Sequence, residues 1–230
     1  MMKKLGVVVF PGSNCDRDLY HVLDQEKPGN VRFVWHKETD ISDLGAVFLP
    51  GGFSYGDYLR SGAIARFSPV MKEVIAFANA GYPVLGICNG FQVLCEASLL
   101  PGALLRNAGI DFACQQVYLS VQSSKSMYTA NCQSGHVLKM PIAHGDGNYF
   151  APDEVIKSLY EHDQILFKYC TSAGEILMDA NPNGSVDNIA GIRNKQGNVM
   201  GMMPHPERAA EPVLGTDDGR MIFTSLLNEM

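Results

Sequence analysis

The first hundred residues alternate between two patterns, and that alternation limits the fold more than any other feature. Short apolar runs of strand length (Gly6 to Phe10, Val31 to His36, Ala46 to Leu49 and Pro83 to Ile87) are separated by stretches of helical spacing. The helical stretches run from Asp16 to about Gln25, from Pro69 to about Ala80 and from Gly90 to about Ala97. Strands that alternate with helices assemble as a parallel sheet covered on both faces. Ser68-Pro69 marks a helix start, with a capping serine followed by proline at the first helical position, and Gly81 marks the stop.

From Asp111 to about Ala143 the pattern changes. Phe112 to Val121 and Met127 to Asn131 read as β segments with no helix between them, which predicts a small antiparallel excursion. A helix over Asp153 to Glu161 follows, then β runs at Ile165 to Cys170, Ile189 to Arg193 and Val199 to Met203, and a last helix from about Asp217 to Asn228. No repeat, low-complexity stretch or linker interrupts the chain. Its 230 residues are read as one domain, 1–230. The net charge of −6 does not favour nucleic-acid backbones or anionic membranes. The longest apolar runs, such as Leu5 to Phe10, are too short to span a bilayer. Lys3-Lys4 leads straight into a strand with no long apolar leader, so a cytoplasmic location is expected.

Six cysteines are scattered along the chain (Cys15, Cys88, Cys95, Cys114, Cys132 and Cys170), with no Cys-x-x-Cys pair. Five have no distinctive setting. Cys88 lies in Gly86-Ile87-Cys88-Asn89-Gly90, between a predicted strand and a predicted helix. A nucleophile on a tight strand-to-helix turn needs this arrangement, because glycine two residues to either side lets backbones pass closely. The turn directs the side chain into the crevice above the strand ends and offers the Asn89 N–H as an oxyanion donor. Helix starts also favour anions. The bland reading of these five residues is a core cysteine between strand-terminating glycines.

Two other segments weigh against that reading. Leu49-Pro50-Gly51-Gly52-Phe53-Ser54-Tyr55-Gly56-Asp57 follows a strand, and its glycine pair frees backbone N–H groups to face a ligand. In Met203-Pro204-His205-Pro206-Glu207-Arg208, two prolines stiffen the backbone around His205. Glu207 lies two residues on, so both side chains project to the same side if the segment is extended. The carboxylate can then hold one imidazole nitrogen while the other faces a thiol, which is the base-plus-orienter logic of a triad. Of six histidines only His205 has this setting, and His144, beside glycines and Asp146, is the runner-up. No His/Cys/Asp cluster has metal-ligand spacing, and neither a phosphate-binding Gly-x-x-x-x-Gly-Lys nor a strand-linked Gly-x-Gly-x-x-Gly is present.

Together these segments resemble the class I glutamine amidotransferases: a glycine pair after a strand, Gly-x-Cys-x-Gly-x-Gln in the middle and His-Pro-Glu near the end. The strings PGSNCD, PGGFSYGDYLRSGAIAR, GICNGFQ, LLPGALLRN, AHGDGNY and GMMPHPER are similar to the glutaminase subunits of phosphoribosylformylglycinamidine synthases. The resemblance implies a flavodoxin-like three-layer α/β fold and a triad of Cys88, His205 and Glu207. It also implies oxyanion and substrate contacts from Gly51, Gly52, Asn89 and Gln92, with Tyr55 and Arg60 near the pocket mouth. It further implies a separate subunit that hydrolyses glutamine to glutamate and ammonia for purine biosynthesis. The partners would be a large synthetase subunit, where ATP and magnesium belong, and a small bridging subunit; no cofactor or metal is expected in this chain. Two other readings stay open on the residues alone: a cysteine hydrolase of similar shape acting on another substrate, and a non-catalytic scaffold.

Overall fold

The computed structural model describes residues 3–230. In chain order the elements are β1 (Lys4–Val9), α1 (Asp16–Glu26), β2 (Val31–Trp35), β3 (Leu44–Leu49), α2 (Pro69–Asn79), β4 (Val84–Ile87) and α3 (Asn89–Glu96). They continue with β5 (Ala103–Leu105), β6 (Ala113–Val121), β7 (Val137–His144), β8 (Asn148–Phe150), α4 (Asp153–Glu161) and β9 (Ile165–Cys170). The last three are β10 (Ile189–Arg193), β11 (Val199–Met202) and α5 (Arg220–Asn228).

Nine strands form one sheet in the order β2-β1-β3-β4-β11-β10-β9-β6-β7, and β5 pairs with β8 in a small separate antiparallel sheet. The pairings from β2 through β11 are parallel, as the strand–helix alternation predicts. From β11 onward every pairing is antiparallel, so the excursion is continuous with the main sheet. Every residue of β3 and β4 is buried, as expected of central parallel strands covered on both faces. The register aligns Leu49 of β3 with Gly86 of β4, and Ile87 of β4 with Met202 of β11. The segments that leave these three strands therefore emerge side by side at one edge, where open α/β sheets bind ligands.

The structure departs from the sequence expectations at a few places. Residues 127–131 form turns rather than a strand, and the partner of β6 is β7 instead. Tyr128 there is fully buried, and its hydroxyl sits between the carbonyls of Val84 and Asn198, at 2.9 and 2.6 Å, with its one hydrogen to share. This explains a β-like apolar signal with no ladder. Ser68 precedes α2 as expected but makes no side-chain cap; its hydroxyl pairs with the Tyr55 hydroxyl at 2.8 Å. The short β5–β8 pair carries too few residues to show a period. Among the described residues no helix is long and apolar enough to cross a membrane.

Gly90 locks the central helix to the sheet. A Cβ there would lie 2.0 Å from the Leu49 carbonyl oxygen, so α3 can approach β3 only because that position has no side chain. Gly90→Ala is expected to destabilise the fold by about 1–3 kcal/mol, as overpacking typically does, measured as a lower denaturation midpoint with an unchanged slope.

Candidate active site

Cys88 occupies the single residue between β4 and α3, with φ 50° and ψ −106°. A non-glycine residue in this region stores roughly 1–3 kcal/mol of backbone strain, which the flanking structure must hold. The Cys88 N–H donates to the Met202 carbonyl at 2.8 Å, and the Cys88 carbonyl accepts from the Gln92 N–H at 3.1 Å, so the turn is clamped on both sides. Asn89 opens α3, where the first N–H groups of a helix lack intrahelical partners.

Gly51 is the point of convergence. A Cβ placed on it would lie 2.7 Å from His205 Cε1, 3.0 Å from Cys15 Sγ and 3.4 Å from Cys88 Cβ. Only glycine lets the β3 exit, the Cys88 turn and the β11 exit meet. Gly52 has φ 143°, and a side chain there would collide with Ser13 and Asn14 at 2.8 Å. Both glycines of the pair are thus needed for close approach.

His205 follows β11, and its N–H donates to the Pro141 carbonyl of β7 at 2.9 Å. Its Nδ1 lies 2.6 Å from Glu207 Oε1. The expected extended segment is instead a single 3-10 turn over Pro206–Arg208, because Pro206 starts a turn; the turn still brings the carboxylate to the ring. Cys88, His205 and Glu207 are 4%, 1% and 2% exposed, so the three groups interact in a dry environment. Burial alone disfavours the imidazolium. The Glu207 charge and the sulfur atoms of Cys88 and Cys15 outweigh it and hold His205 well above its ordinary value. Burial, with the nearby His205 charge, pushes His144 the other way, down to about 4.

Asn89 and Gln92 form a hydrogen-bond chain beside the cysteine. The Asn89 side chain accepts from the Ser54 N–H at 3.1 Å and donates to Gln92 Oε1 at 2.8 Å. Gln92 Nε2 then donates to the Asp146 carbonyl at 2.6 Å. Tyr55 and Arg60 are engaged in contacts of their own: the Tyr55 hydroxyl pairs with His36 and Ser68, and Arg60 pairs with Glu96 on the surface.

The sequence reading missed two participants. Cys15, at the start of α1, lies against Gly51, and its Sγ accepts from Arg208 Nη2 at 3.0 Å. Burial pushes its thiol up. Cys15, His205 and Glu207 place their ligand atoms within 4.8 Å of one another, close enough for a metal ion. However, Glu207 already holds His205 and Arg208 already holds Cys15, so a hydrogen-bonded network accounts for the cluster. The second is Asp57, on a left-handed loop residue. Burial and the neighbouring Asp146 raise its carboxyl to about 6, against the hydrogen bond from Asn89. A raised carboxyl stabilises the fold when protonated, and that contribution is lost as pH rises from about 4 through about 6. Asp57→Asn is expected to flatten this part of the curve in thermal melts between pH 4 and 7; an unchanged curve contradicts the assignment.

Residues 2–217 match the model of the CobB/CobQ-like glutamine amidotransferase domain. The phosphoribosylformylglycinamidine synthase subunit PurQ of Acaryochloris marina is 57% identical over 227 residues, covering 99% of this chain and 97% of that one. The corresponding subunit of Salinibacter ruber is 53% identical, covering 100% and 98%. Among solved structures, PurLQS from Thermotoga maritima superposes with a TM-score of 0.87 at 41% identity, covering 100% of this chain and 99% of that one. A second Thermotoga maritima protein, described as a glutamine amidotransferase, shares the fold at 15% identity and a TM-score of 0.57, covering 100% and 92%.

Proposed function

The chain belongs to the CobB/CobQ-like glutamine amidotransferase family, and from that premise we infer that it is the glutaminase subunit of a phosphoribosylformylglycinamidine synthase. It hydrolyses glutamine to glutamate and ammonia for the synthetase subunit, which converts formylglycinamide ribonucleotide to formylglycinamidine ribonucleotide in purine biosynthesis. Full-length identity with curated relatives and the likeness to an assembled PurLQS chain support this reading. The partners are the large synthetase subunit and a small bridging subunit. ATP and magnesium act on the synthetase, this subunit needs no cofactor of its own, and the complex works in the cytoplasm.

The observation that carries the mechanism is a strained cysteine at a helix start, beside a histidine whose other nitrogen is held by a buried carboxylate. In the proposed sequence the Cys88 sulfur attacks the carboxamide carbon of glutamine. Backbone N–H groups of Gly52 and Asn89, with Gly51 shaping the approach, stabilise the oxyanion, and losing one such donor typically costs about 10²–10³-fold in rate. His205 carries the proton from the thiol to the departing nitrogen. The C–N bond breaks, ammonia leaves with the electron pair and a glutamyl thioester remains. His205 then deprotonates the water that hydrolyses the thioester. Glu207 stabilises the imidazolium throughout, in agreement with the raised proton affinity of His205. Gln92 shapes the glutamine pocket.

In the assembled enzyme, Cys88→Ala is expected to abolish glutamine-dependent synthesis while ammonium salts still support it. Retained glutamine-dependent turnover contradicts the reading. Glu207→Gln is expected to lower the glutaminase rate by at least about 10-fold and shift the pH profile of kcat toward lower pH, since the imidazolium loses its counter-charge.

A further inference from the structure

Among the described residues four buried side-chain polar atoms lack a hydrogen-bond partner: Ser54 Oγ, His144 Nε2, His205 Nε2 and Glu207 Oε2. Buried polar groups are normally satisfied, so each of these atoms calls for a partner from solvent or a ligand. Two belong to the proposed triad, and Ser54 adjoins Asn89 through its backbone N–H. The remaining one, on His144, has no place in the mechanism above.

The surroundings of His144 fix which proton it carries. The Asn107 side chain donates through Nδ2 to the carbonyls of Asp111 and His144, both at 2.9 Å. Its Oδ1 accepts from the Gly147 N–H at 2.9 Å, and a backbone N–H can only donate. The Asn107 amide therefore has one orientation, and His144 Nδ1, 3.2 Å from the same Oδ1, must be the donor. A neutral imidazole with a protonated Nδ1 presents Nε2 as a bare lone pair. His144 is 3% exposed, and its ring packs against Gly147, where a Cβ would fall 2.2 Å from it. Among the described residues no side chain supplies Nε2 with a donor. The preceding residue is the one whose carbonyl accepts the Cys88 thiol at 3.7 Å, and burial, aided by the His205 charge, favours the neutral His144 ring. An acceptor that stays neutral beside the reacting centre is matched to a ligand N–H group.

We propose that His144 Nε2 accepts a hydrogen bond from the carboxamide nitrogen of glutamine and keeps it as that nitrogen leaves as ammonia. This rests on the reading of Cys88 and His205 as nucleophile and acid. In the tetrahedral intermediate the nitrogen carries two N–H groups and one lone pair. With one N–H held by His144, the lone pair faces His205 Nε2, which supplies the proton; the C–N bond breaks and ammonia departs, and no proton passes to His144. The bond selects for an amide over an ester or acid, because only the amide nitrogen offers the donor.

The test compares glutamine with the γ-methyl ester of glutamate in the assembled enzyme. The two share the amino-acid end, but the ester's leaving group has no N–H. His144→Asn keeps a donor for Asn107 and removes the distal acceptor. It is expected to lower kcat/KM for glutamine by roughly 10- to 100-fold, the size of one transition-state hydrogen bond, and to change that for the ester less than about 3-fold. His144→Gln, with an acceptor oxygen near the Nε2 position, is expected to recover part of the glutamine activity. Equal losses on both substrates, or a rise in KM shared by both, overturn the assignment. Retention of both activities in Cys88→Ala instead removes the underlying reading.

Discussion

Parallel pairing of β3, β4 and β11 is the constraint on which the site depends. Because the three strands run the same way in a tight register, the glycine pair, the cysteine turn and the histidine segment leave the sheet at one edge. Any one-residue slip would reverse the facing of a strand and separate them. The register is held by a core of fully buried strands and by contacts that only glycine permits, at Gly90 against β3 and at Gly51 among Cys15, Cys88 and His205. The strain at Cys88 is sustained by this frame, since the backbone bonds from Cys88 to Met202 and from Gln92 to Cys88 fix the turn from two independent elements.

The electrostatics follow from the same closeness. Glu207 and His205 are buried together, and the desolvation of the ring is outweighed only by the carboxylate acting with the Cys88 and Cys15 sulfurs, so the imidazolium is favoured. His144 faces the opposite condition: no carboxylate is bonded to its ring, and burial with the His205 charge outweighs the pull of nearby Asp146, so the neutral ring is favoured. The two buried histidines are thereby driven in opposite directions, which suits the proton carrier and the hydrogen-bond acceptor proposed above.

Much of this was legible in the sequence, for definite reasons. The strands around the site are short apolar runs with glycine or proline within three residues of their ends, and such punctuation survives in any context, so β4, α3 and the α4–β9 segment were readable almost to the residue. Cys88, His205 and Glu207 stood out because each lies in a constrained local frame, and the structure brings them together. The segment 127–131 misled because Tyr128 is buried by contacts across the chain rather than by a strand partner. Ser68 misled because a hydroxyl that can cap a helix also pairs with a distant tyrosine. Cys15 and Asp57 were invisible as site residues because their relation to it is purely tertiary, Cys15 through Gly51 and Arg208, and Asp57 through Asn89 and Asp146. The tautomer of His144 likewise depends on Asn107, thirty-seven residues away.

The presence of a second buried thiol next to the histidine sharpens the question of which sulfur is the nucleophile. Cys15 has a hydrogen-bonding arginine but sits on an ordinary helix start, and burial keeps its proton on. Cys88 has the strained turn and the helix start behind it. The most direct measurement is peptide mapping by mass spectrometry after treatment with a glutamine analogue bearing a diazoketone in place of the carboxamide. A single adduct on Cys88, with the other five cysteines unmodified, is the result this account requires. An adduct on Cys15, with Cys88 left free, contradicts it.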